Sequence, residues 1–380
     1  MTLSAAERER YQRHLTLEEI GPAGQQKLRA ARVLVVGVGG LGSPAALYLA
    51  ASGVGTLGLV DCDRVDASNL QRQVLFDSAS VGRPKVEVAR ERLLGLNPHI
   101  DVRSHALELR ADNVMDVVRE YDVVLDGTDR IPTRYIVNDA CVLLGKPLVS
   151  AAIHRFEGQV MTCLPGRGPC YRCLYAEVPD GLVPNCADAG VLGVLPGVVG
   201  TIQATEAIKL IVGAGDLLSG RLLVYDALDM AFREFRVERR RDCAVCGDRP
   251  TITAPIDPPG AACAAPATGD RIGRLRPVEL QQLLRAARSP PLLVDVREPR
   301  EFVAGHIAGS VNLPLPELAA RLREIPVDAA PVFICRSGAR SANACAIAVR
   351  AGVHAAFNLD GGLLAWAAEI DPTLVVASAR

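Results

Sequence analysis

Two pairs of cysteines in this sequence have the spacing of metal ligands. Cys170 and Cys173 form one Cys-x-x-Cys pair, and Cys243 and Cys246 form a second. Four thiolates are the usual ligands of a tetrahedral structural zinc site. The sequence therefore predicts Zn²⁺ at these four cysteines, where it would hold the end of the first domain against its middle. A redox role is disfavoured because neither pair opens a thioredoxin-like unit.

A further cysteine, Cys335, lies in a segment that could stabilise a sulfur anion. The stretch PVFICRSGARS places it directly after an apolar strand and before a predicted helix. Backbone N–H groups of such a loop, the helix N-terminus, Arg336 and Arg340 would all favour the thiolate. Phosphate-ester cleavage and sulfur transfer both suit this arrangement. The loop is shorter than the one typical of phosphatases, which favours sulfur transfer with Cys335 as the persulfide carrier.

The segment Val33–Asp63 has the outline of a nucleotide-binding fingerprint. Gly37-x-Gly39-x-x-Gly42 follows an apolar run, and Asp61 ends the next one. Glycines let backbone N–H groups approach phosphates, and an acid in this place can accept bonds from ribose hydroxyls. By this spacing alone, NAD and an NAD-dependent oxidoreductase remain open.

The residues that follow favour a nucleoside triphosphate. Asn69, Arg72 and Lys85 come soon after the ribose acid, and cations beside a phosphate cradle suit a triphosphate. Asp126 and Asp129 follow a predicted strand, where a carboxylate can hold Mg²⁺ together with phosphate oxygens. The combination predicts ATP chemistry. A carboxylate substrate would need no general base, because it is already ionised at neutral pH.

These motifs lie on two predicted α/β domains. Short Val- and Leu-rich runs alternate with helical spacing over residues 32–150, which is typical of a Rossmann-like α/β fold with a mostly parallel sheet. We expect a first domain over residues 1–247 and a linker rich in Pro, Ala and Gly over 248–271. A smaller α/β domain is expected over residues 272–380.

The composition limits the kinds of binding partner and the cellular compartment that we expect for this protein. The 42 Lys and Arg against 43 Asp and Glu leave a formal charge of −1, so neither nucleic acid nor a membrane surface is an expected partner. The charged N-terminus is unlike a signal peptide, and the longest apolar stretches are interrupted. We therefore expect a cytoplasmic protein, whose eleven cysteines serve as ligands or reactive thiols in a reducing compartment.

The order of several motifs resembles the ubiquitin-activating-type superfamily, and most nearly its MoeB/ThiF adenylyltransferase branch. They are RYQRH, GVGGLGSPAALYLAASGVG, SNLQRQ, GRPK, LDGTD, RFEGQV, CYRCL and YDAL, within residues 8–247. The resemblance implies that ATP adenylates the C-terminal glycine of a small ubiquitin-like sulfur-carrier protein ending in Gly-Gly. The nucleotide-site residues it implies are Gly40, Asp61, Ser68, Asn69, Leu70, Gln71, Arg72, Lys85, Asp129 and Arg130.

The resemblance also assigns individual roles. Arg13 matches an arginine that reaches the ATP site of the other subunit, which implies a homodimer. Asp129 matches the Mg²⁺-associated acid, and Cys186 matches a cysteine that forms a thioester or acyl disulfide with the carrier in relatives. Arg130 stands where the family usually carries Asn, so this one nucleotide contact is left open.

The C-terminal part of the chain resembles a rhodanese domain. VDVREPREFVAGHIAGSVNLPL and NLDGGLLAWA carry the likeness, together with the loop of Cys335 and Arg340. The resemblance implies a persulfide or thiosulfate sulfur donor. The whole chain is then predicted to be an adenylyltransferase and sulfurtransferase that makes a thiocarboxylate on its carrier. Such carriers feed molybdopterin, thiamine, tRNA thiolation or cysteine synthesis. The alternative from another class is a nucleotide-binding scaffold with a rhodanese-like docking module.

Overall fold

The computed structural model describes residues 3–176, 190–257, 272–286, 291–326, 329–351, 353 and 355–376. The chain divides into two compact units, Met1–Ala261 and Ala262–Arg380. Cys186 and residues 258–271 of the predicted linker lie outside the described residues.

The first unit is built on an eight-stranded sheet of order β3-β2-β1-β4-β5-β6-β7-β8. The strands are β1 Arg32–Val36, β2 Thr56–Val60, β3 Asp101–His105, β4 Val123–Asp126, β5 Leu148–His154, β6 Glu157–Cys163, β7 Arg221–Asp226 and β8 Ala231–Arg236. Strands β1 to β5 pair in parallel, and β6 to β8 extend the sheet with antiparallel pairs. The predicted α/β fold with a mostly parallel sheet is confirmed.

Helices cover both faces of this sheet, as parallel strands require. They are α1 Ala5–Arg10, α2 Gln12–Leu15, α3 Gly21–Ala30, α4 Gly42–Ala51, α5 Lys85–Leu96, α6 Val114–Arg119, α7 Ile131–Leu144, α8 Tyr171–Leu174 and the long helix Leu195–Val212. Strand β1 has a continuous buried run, VLVV, after the exposed Arg32, because a central parallel strand is packed on both faces. Helix α7 ends at Gly145, whose φ of 67° is the left-handed cap that glycine adopts without strain.

The helix Leu195–Val212 is long and apolar enough to cross a membrane, judged by length and composition. Half of it is buried inside the first unit. Leu195, Val199 and Ala207 are fully buried, and the helix packs on α4, β5 and β6. Core packing therefore accounts for its apolar sequence.

The second unit contains a five-stranded parallel sheet of order β11-β10-β12-β13-β9. Its strands are β9 Ile272–Leu275, β10 Leu293–Asp295, β11 Ser310–Asn312, β12 Val332–Ile334 and β13 Ala356–Leu359. Its helices are Pro277–Ala286, Pro299–Ala304, Leu315–Arg321, Ala339–Arg350 and Gly362–Glu369. The central strand β12 leads directly into Cys335, and the helix Ala339–Arg350 follows the loop.

Candidate functional site

The carboxyl ends of β1, β2 and β4 open into a cavity of about 540 Å³. A crevice is expected here, because the strand order reverses between β1 and β4 and the connections leave in opposite directions. The cavity is lined by most of the predicted nucleotide-site residues, namely Gly40, Asp61, Asn69, Arg72, Lys85, Asp129 and Arg130. Among the described residues, Ser68, Leu70 and Gln71 are not part of this lining. Ser68 and Gln71 are exposed, and Leu70 packs against the core.

The glycine loop joins β1 to α4 through a very close backbone contact. Gly37 has a φ of +81°, in the left-handed region that favours glycine. A Cβ on Gly42 would lie 1.9 Å from the Gly37 carbonyl oxygen. Gly39 and Gly40 line the cavity between these two positions. Gly42 is therefore required by packing, whereas the middle of the loop is left open to a ligand.

Asp61 lies at the cavity surface directly after β2. Its carboxylate accepts hydrogen bonds from the backbone N–H groups of Val38 and Asp63, both at 2.8 Å. Burial raises the pKa of the Asp61 carboxyl, and the nearby Lys85 ammonium opposes that effect. A carboxylate at this position is able to accept hydrogen bonds from ribose hydroxyls.

Two cations flank the glycine loop. The Lys85 side chain is buried, and its Nζ lies 2.9 Å from Oδ2 of the exposed Asp63. Arg72 donates from Nη1 to the Ser68 carbonyl oxygen at 3.1 Å, and its Cδ lies 3.8 Å from where a Cβ on Gly40 would stand. Fixed positive charge at this place can offset the charge of a triphosphate and of a leaving pyrophosphate.

The two acids at the end of β4 have different surroundings. Asp126 is buried, and its Oδ2 accepts from Arg134 Nη1 at 3.1 Å and from Ser150 Oγ at 3.0 Å. Burial raises the pKa of Asp126, and Arg134 opposes that effect. Asp126 thus stabilises the fold, whereas Asp129 is exposed and lines the cavity. Asp129 is the acid available to hold Mg²⁺ with phosphate oxygens.

Arg130 is part of an ion-pair cluster in the cavity wall. Its Nη1 lies 2.6 Å from Glu108 Oε1. The other oxygen of Glu108 lies 2.9 Å from Nη2 of Arg110. Glu108 also lines the cavity, and no sequence motif indicated it. The arginine that replaces the usual Asn therefore has an acidic partner from a distant segment.

The four predicted zinc ligands converge in space. The Sγ–Sγ distances are 3.9 Å for Cys170–Cys173, 3.6 Å for Cys170–Cys243 and 3.3 Å for Cys173–Cys246. All four Sγ atoms lie within 4.8 Å of one another. A tetrahedral zinc with Zn–S bonds of about 2.3 Å needs sulfur atoms about 3.8 Å apart. The cluster therefore fits Zn²⁺ in number, chemistry and spacing.

In the second unit, Cys335 is buried beneath the loop that follows β12. Its Sγ accepts from the backbone N–H of Gly338 at 3.1 Å and from Ser341 Oγ at 3.2 Å. These donors stabilise negative charge on sulfur. Arg340, predicted as a cation of this loop, forms a two-pronged ion pair with the buried Glu301 at 2.8 and 2.9 Å. Its charge is therefore shared with a carboxylate from another helix.

Arg13 lies outside the cavity wall, whereas three residues that were not predicted belong to it. Arg13 is exposed on α2 and is not among the lining residues of the cavity. Gln73, Tyr171 and Tyr175 do line it, and sequence reasoning missed them as site residues. A signal was present, because Gln73 lies within SNLQRQ and both tyrosines lie in the cysteine segment CYRCLY.

Known families match both units. The ThiF family model matches residues 11–245, and the rhodanese-like domain matches residues 277–369. A Mycobacterium tuberculosis protein named probable adenylyltransferase/sulfurtransferase MoeZ is 45% identical, over 98% of this chain and 96% of that protein. An Aedes aegypti protein named adenylyltransferase and sulfurtransferase MOCS3 is 42% identical, over 96% of this chain and 87% of that protein.

Solved structures support the same relationship. The crystal structure of E. coli MccB with ATP has a TM-score of 0.57 and 26% identity, covering 64% of this chain and 75% of that chain. The structure of MccB in complex with N-formylated MccA has a TM-score of 0.57 and 27% identity, covering 63% and 75%. The chain therefore belongs to the ThiF family, carries a C-terminal rhodanese-like domain, and is an adenylyltransferase and sulfurtransferase.

Proposed function

We propose that this chain adenylates the C-terminal glycine of a small ubiquitin-like sulfur-carrier protein and then converts that carboxylate to a thiocarboxylate. One observation carries the proposal. The chain holds, in one polypeptide, a cavity with a glycine loop, a ribose acid and two cations, and a buried cysteine with two hydrogen-bond donors on its sulfur. The first arrangement suits acyl activation by ATP, and the second suits a persulfide.

In the first step, a carboxylate oxygen of the carrier attacks the α-phosphorus of ATP. The bond from that phosphorus to the bridging oxygen breaks, and pyrophosphate leaves with its electron pair. Gly40 and Asp61 position the nucleotide. Arg72 and Lys85 offset the charge that develops on the leaving group, which is the main catalytic need of phosphoryl-type transfer. The carboxylate needs no base, so the residues supply orientation and charge alone.

In the second step, the terminal sulfur of a Cys335 persulfide attacks the activated carbonyl carbon. The bond from carbon to the AMP oxygen breaks, AMP leaves, and an acyl disulfide joins the carrier to Cys335. The Cys186 thiolate then attacks the Cys335 sulfur, and the electron pair of the broken S–S bond stays on the carrier as a thiocarboxylate. The resulting Cys186–Cys335 disulfide is reduced by a cellular dithiol. A persulfide or thiosulfate donor reloads Cys335.

Two metal ions belong to the proposal. Asp129 would hold Mg²⁺, which supplies charge neutralisation for the triphosphate when bound. The cluster Cys170, Cys173, Cys243 and Cys246 would hold a structural Zn²⁺, supported by its sulfur spacing. With four protein ligands such a site has no open position, so it stabilises structure and takes no part in the reaction.

The assembly and the cellular location of the enzyme are part of the same proposal. We propose a cytoplasmic homodimer in which Arg13 of each subunit reaches the partner's ATP site. Its exposed position on α2 supports a role outside its own cavity. We also propose that the product carrier supplies sulfur for molybdopterin synthesis or another thiolation pathway.

The test uses the purified full chain with Mg-ATP, a sulfur donor and each small Gly-Gly-ended protein of the same cell. We expect one of these proteins to gain the mass of sulfur replacing oxygen. The Cys335→Ala variant should keep ATP–pyrophosphate exchange with that protein but make no thiocarboxylate. No mass gain and no exchange with any candidate would refute the proposal, and thiocarboxylate formation by Cys335→Ala would refute the role of Cys335.

A further inference from the structure

In the second unit, the loop that follows β12 lies beside the turn that follows β13. These two strands pair in parallel, so their carboxyl ends lie at the same edge of the sheet. We call residues 335–338, after β12, the sulfur loop, and Gly361 with Gly362, after β13, the glycine turn. The glycine turn leads into the helix Gly362–Glu369.

The start of this helix binds the carbonyl side of the sulfur loop. The backbone N–H of Leu363 donates to the Cys335 carbonyl oxygen at 2.9 Å. The backbone N–H of Leu364 donates to the Arg336 carbonyl oxygen at 3.0 Å. Both N–H groups lie in the first turn of the helix, where no acceptor exists within the helix itself. The sulfur loop therefore satisfies these donors, and two of its carbonyl groups are fixed toward the helix.

The same contacts turn the N–H side of the sulfur loop away from the helix. The C=O and N–H groups of a trans peptide point in opposite directions, and the described residues contain no cis peptide. The N–H groups of Arg336 and Ser337, which follow the two bound carbonyls, therefore face away from the helix. The next N–H, that of Gly338, donates to Cys335 Sγ at 3.1 Å. A carbonyl that accepts a hydrogen bond also polarises the N–H of its own peptide unit, which makes that N–H a better donor.

The glycine turn permits this docking through its backbone conformation and its lack of side chains. Gly361 and Gly362 have φ values of +68° and +59°, in the left-handed region that favours glycine. A Cβ on Gly362 would lie 2.4 Å from the Cys335 carbonyl oxygen and 2.7 Å from the Arg336 carbonyl carbon. A Cβ on Gly338 would lie 3.2 Å from the backbone nitrogen of Gly361. These neighbours are all backbone atoms, so no side-chain rotation can make room.

We propose that the glycine turn positions the sulfur loop for sulfur transfer, by holding its carbonyl groups on the helix side and its N–H groups on the side of the Cys335 sulfur. The inference rests on the proposed function, because it takes Cys335 as the persulfide carrier. A loop released from the helix could turn a carbonyl oxygen toward the sulfur and repel its negative charge. Donors that are held in place before the reaction need no reorganisation during it. Gly362 contacts the loop backbone and no reacting atom, so it is a positioning residue.

The test uses thiosulfate and cyanide with the full chain, a reaction that needs no carrier protein. The Cys335 thiolate attacks the outer sulfur of thiosulfate, and sulfite leaves with the electron pair of the S–S bond. Cyanide then takes the outer sulfur from the persulfide as thiocyanate, and the thiolate is restored. Gly362→Ala should lower kcat by about 10- to 100-fold, because a misplacement of about 1 Å at a reacting group has an effect of this order. ATP–pyrophosphate exchange, which belongs to the first unit, should not change.

A second readout follows the charge on the sulfur. The rate at which iodoacetamide alkylates Cys335 is measured at neutral and at alkaline pH by mass spectrometry of the peptide that contains it. Only the thiolate reacts, and the loop donors favour the thiolate. Gly362→Ala should therefore slow alkylation about 10-fold at neutral pH, the effect of one weakened hydrogen bond to a charged group. At alkaline pH, where the thiol ionises without help, the two proteins should react at similar rates.

Two controls separate position from stability. Gly309 lies in the same unit with a left-handed φ of +84°, and a Cβ there meets nothing within 4 Å. Gly309→Ala should therefore lower the melting temperature through backbone strain but keep sulfur transfer and the pH dependence of alkylation. Leu364→Pro removes the N–H that binds the Arg336 carbonyl, in a turn where a missing N–H breaks no bond within the helix. It should slow sulfur transfer several-fold, whereas Leu364→Ala, at an exposed side chain, keeps that N–H and should transfer sulfur like wild type.

The outcomes separate this inference from the function on which it rests. Gly362→Ala with wild-type kcat and wild-type alkylation would overturn it, and so would an equal loss of sulfur transfer in Gly309→Ala. If calorimetry shows that the second unit of Gly362→Ala does not fold, the Leu364 pair decides, and equal rates in its two variants would overturn the inference. Sulfur transfer from thiosulfate by the wild type, with no thiocarboxylate on any carrier, would overturn the proposed function alone.

Discussion

Replacing Gly42 by alanine should damage both the fold and the ATP site. The added Cβ would lie 1.9 Å from the Gly37 carbonyl oxygen. The contact is backbone to helix, so the loop and α4 must separate by about 1.5 Å to restore ordinary van der Waals distance. Overpacking costs about 1–3 kcal/mol, and we expect the upper end because no flexible side chain can give way.

The separation also moves the phosphate-binding part of the loop. A misplacement of about 1 Å at a reacting group can cost on the order of 100-fold in rate, so adenylation should fall by about that factor. A destabilisation of about 3 kcal/mol in a domain of this size should lower the melting temperature of the first unit by about 6–12 °C, as measured by calorimetry. ATP affinity, measured by titration calorimetry, should fall in parallel.

Two other glycines provide the controls. A Cβ on Gly95, near the end of α5, meets nothing within 4 Å, so Gly95→Ala should add about 0.5–1 kcal/mol of stability through helix propensity. A Cβ on Gly39 meets only Gln73 Nε2 at 3.6 Å, but Gly39 lines the cavity. Gly39→Ala should therefore melt like wild type yet bind ATP more weakly. If Gly42→Ala melts and binds ATP like wild type, the close approach to Gly37 is not what requires glycine there.

Three further predictions address charge and metal. Metal analysis of the purified chain should find one zinc ion, and the Cys246→Ser variant should lose it. Calorimetry should show that the first unit of this variant unfolds several degrees lower, because metal binding contributes to the folding free energy. Asp61→Asn should weaken ATP binding by about 10- to 100-fold, because this range corresponds to the free energy of hydrogen bonds to a charged group. Burial raises the pKa of Asp61, so the ATP affinity of the wild type should begin to fall at a higher pH than it would for an ordinary aspartate. The Asp61→Asn variant should lack this pH dependence. In the second unit, the Arg340 guanidinium bonded to Glu301 holds the pKa of that carboxyl below its usual 4.5. The ion pair stabilises the second unit fully above pH 4.5, and this stabilisation is lost as the pH falls through the lowered pKa of Glu301. Glu301→Gln should therefore flatten the acid side of a plot of unfolding free energy against pH. An unchanged plot would contradict a contribution of the pair to stability.

The strands that form the buried centre of both sheets could be predicted from the sequence. Residues 33–36 and 123–125 are short apolar runs, as expected for parallel strands that are covered on both faces. The antiparallel extension was not predicted. Ala231–Arg236 is an edge strand with mostly exposed residues, so its sequence, AFREFR, lacks the buried run of β1 and β4.

The chemistry-bearing motifs were visible because each depends on local spacing. The glycine loop, the Cys-x-x-Cys pairs and the loop of Cys335 each bring their functional groups together within a few residues of chain. Local spacing also indicated that the two cysteine pairs share one metal, since a single pair does not complete a tetrahedron. Tyr171 and Tyr175 were not recognised as cavity residues, because their place in the cavity wall depends on contacts with distant segments and not on their own spacing.

The sequence by itself thus determined which reactive groups this protein has and the order in which its elements carry them. Only the tertiary structure decided how those groups are paired. It placed Glu301 against Arg340, Glu108 against Arg130, and Tyr171 in the wall of the cavity that Asp61 also lines. The physical reason is that side chains from distant segments meet according to strand order and register, which arise from packing the whole sheet and not from any local run of residues.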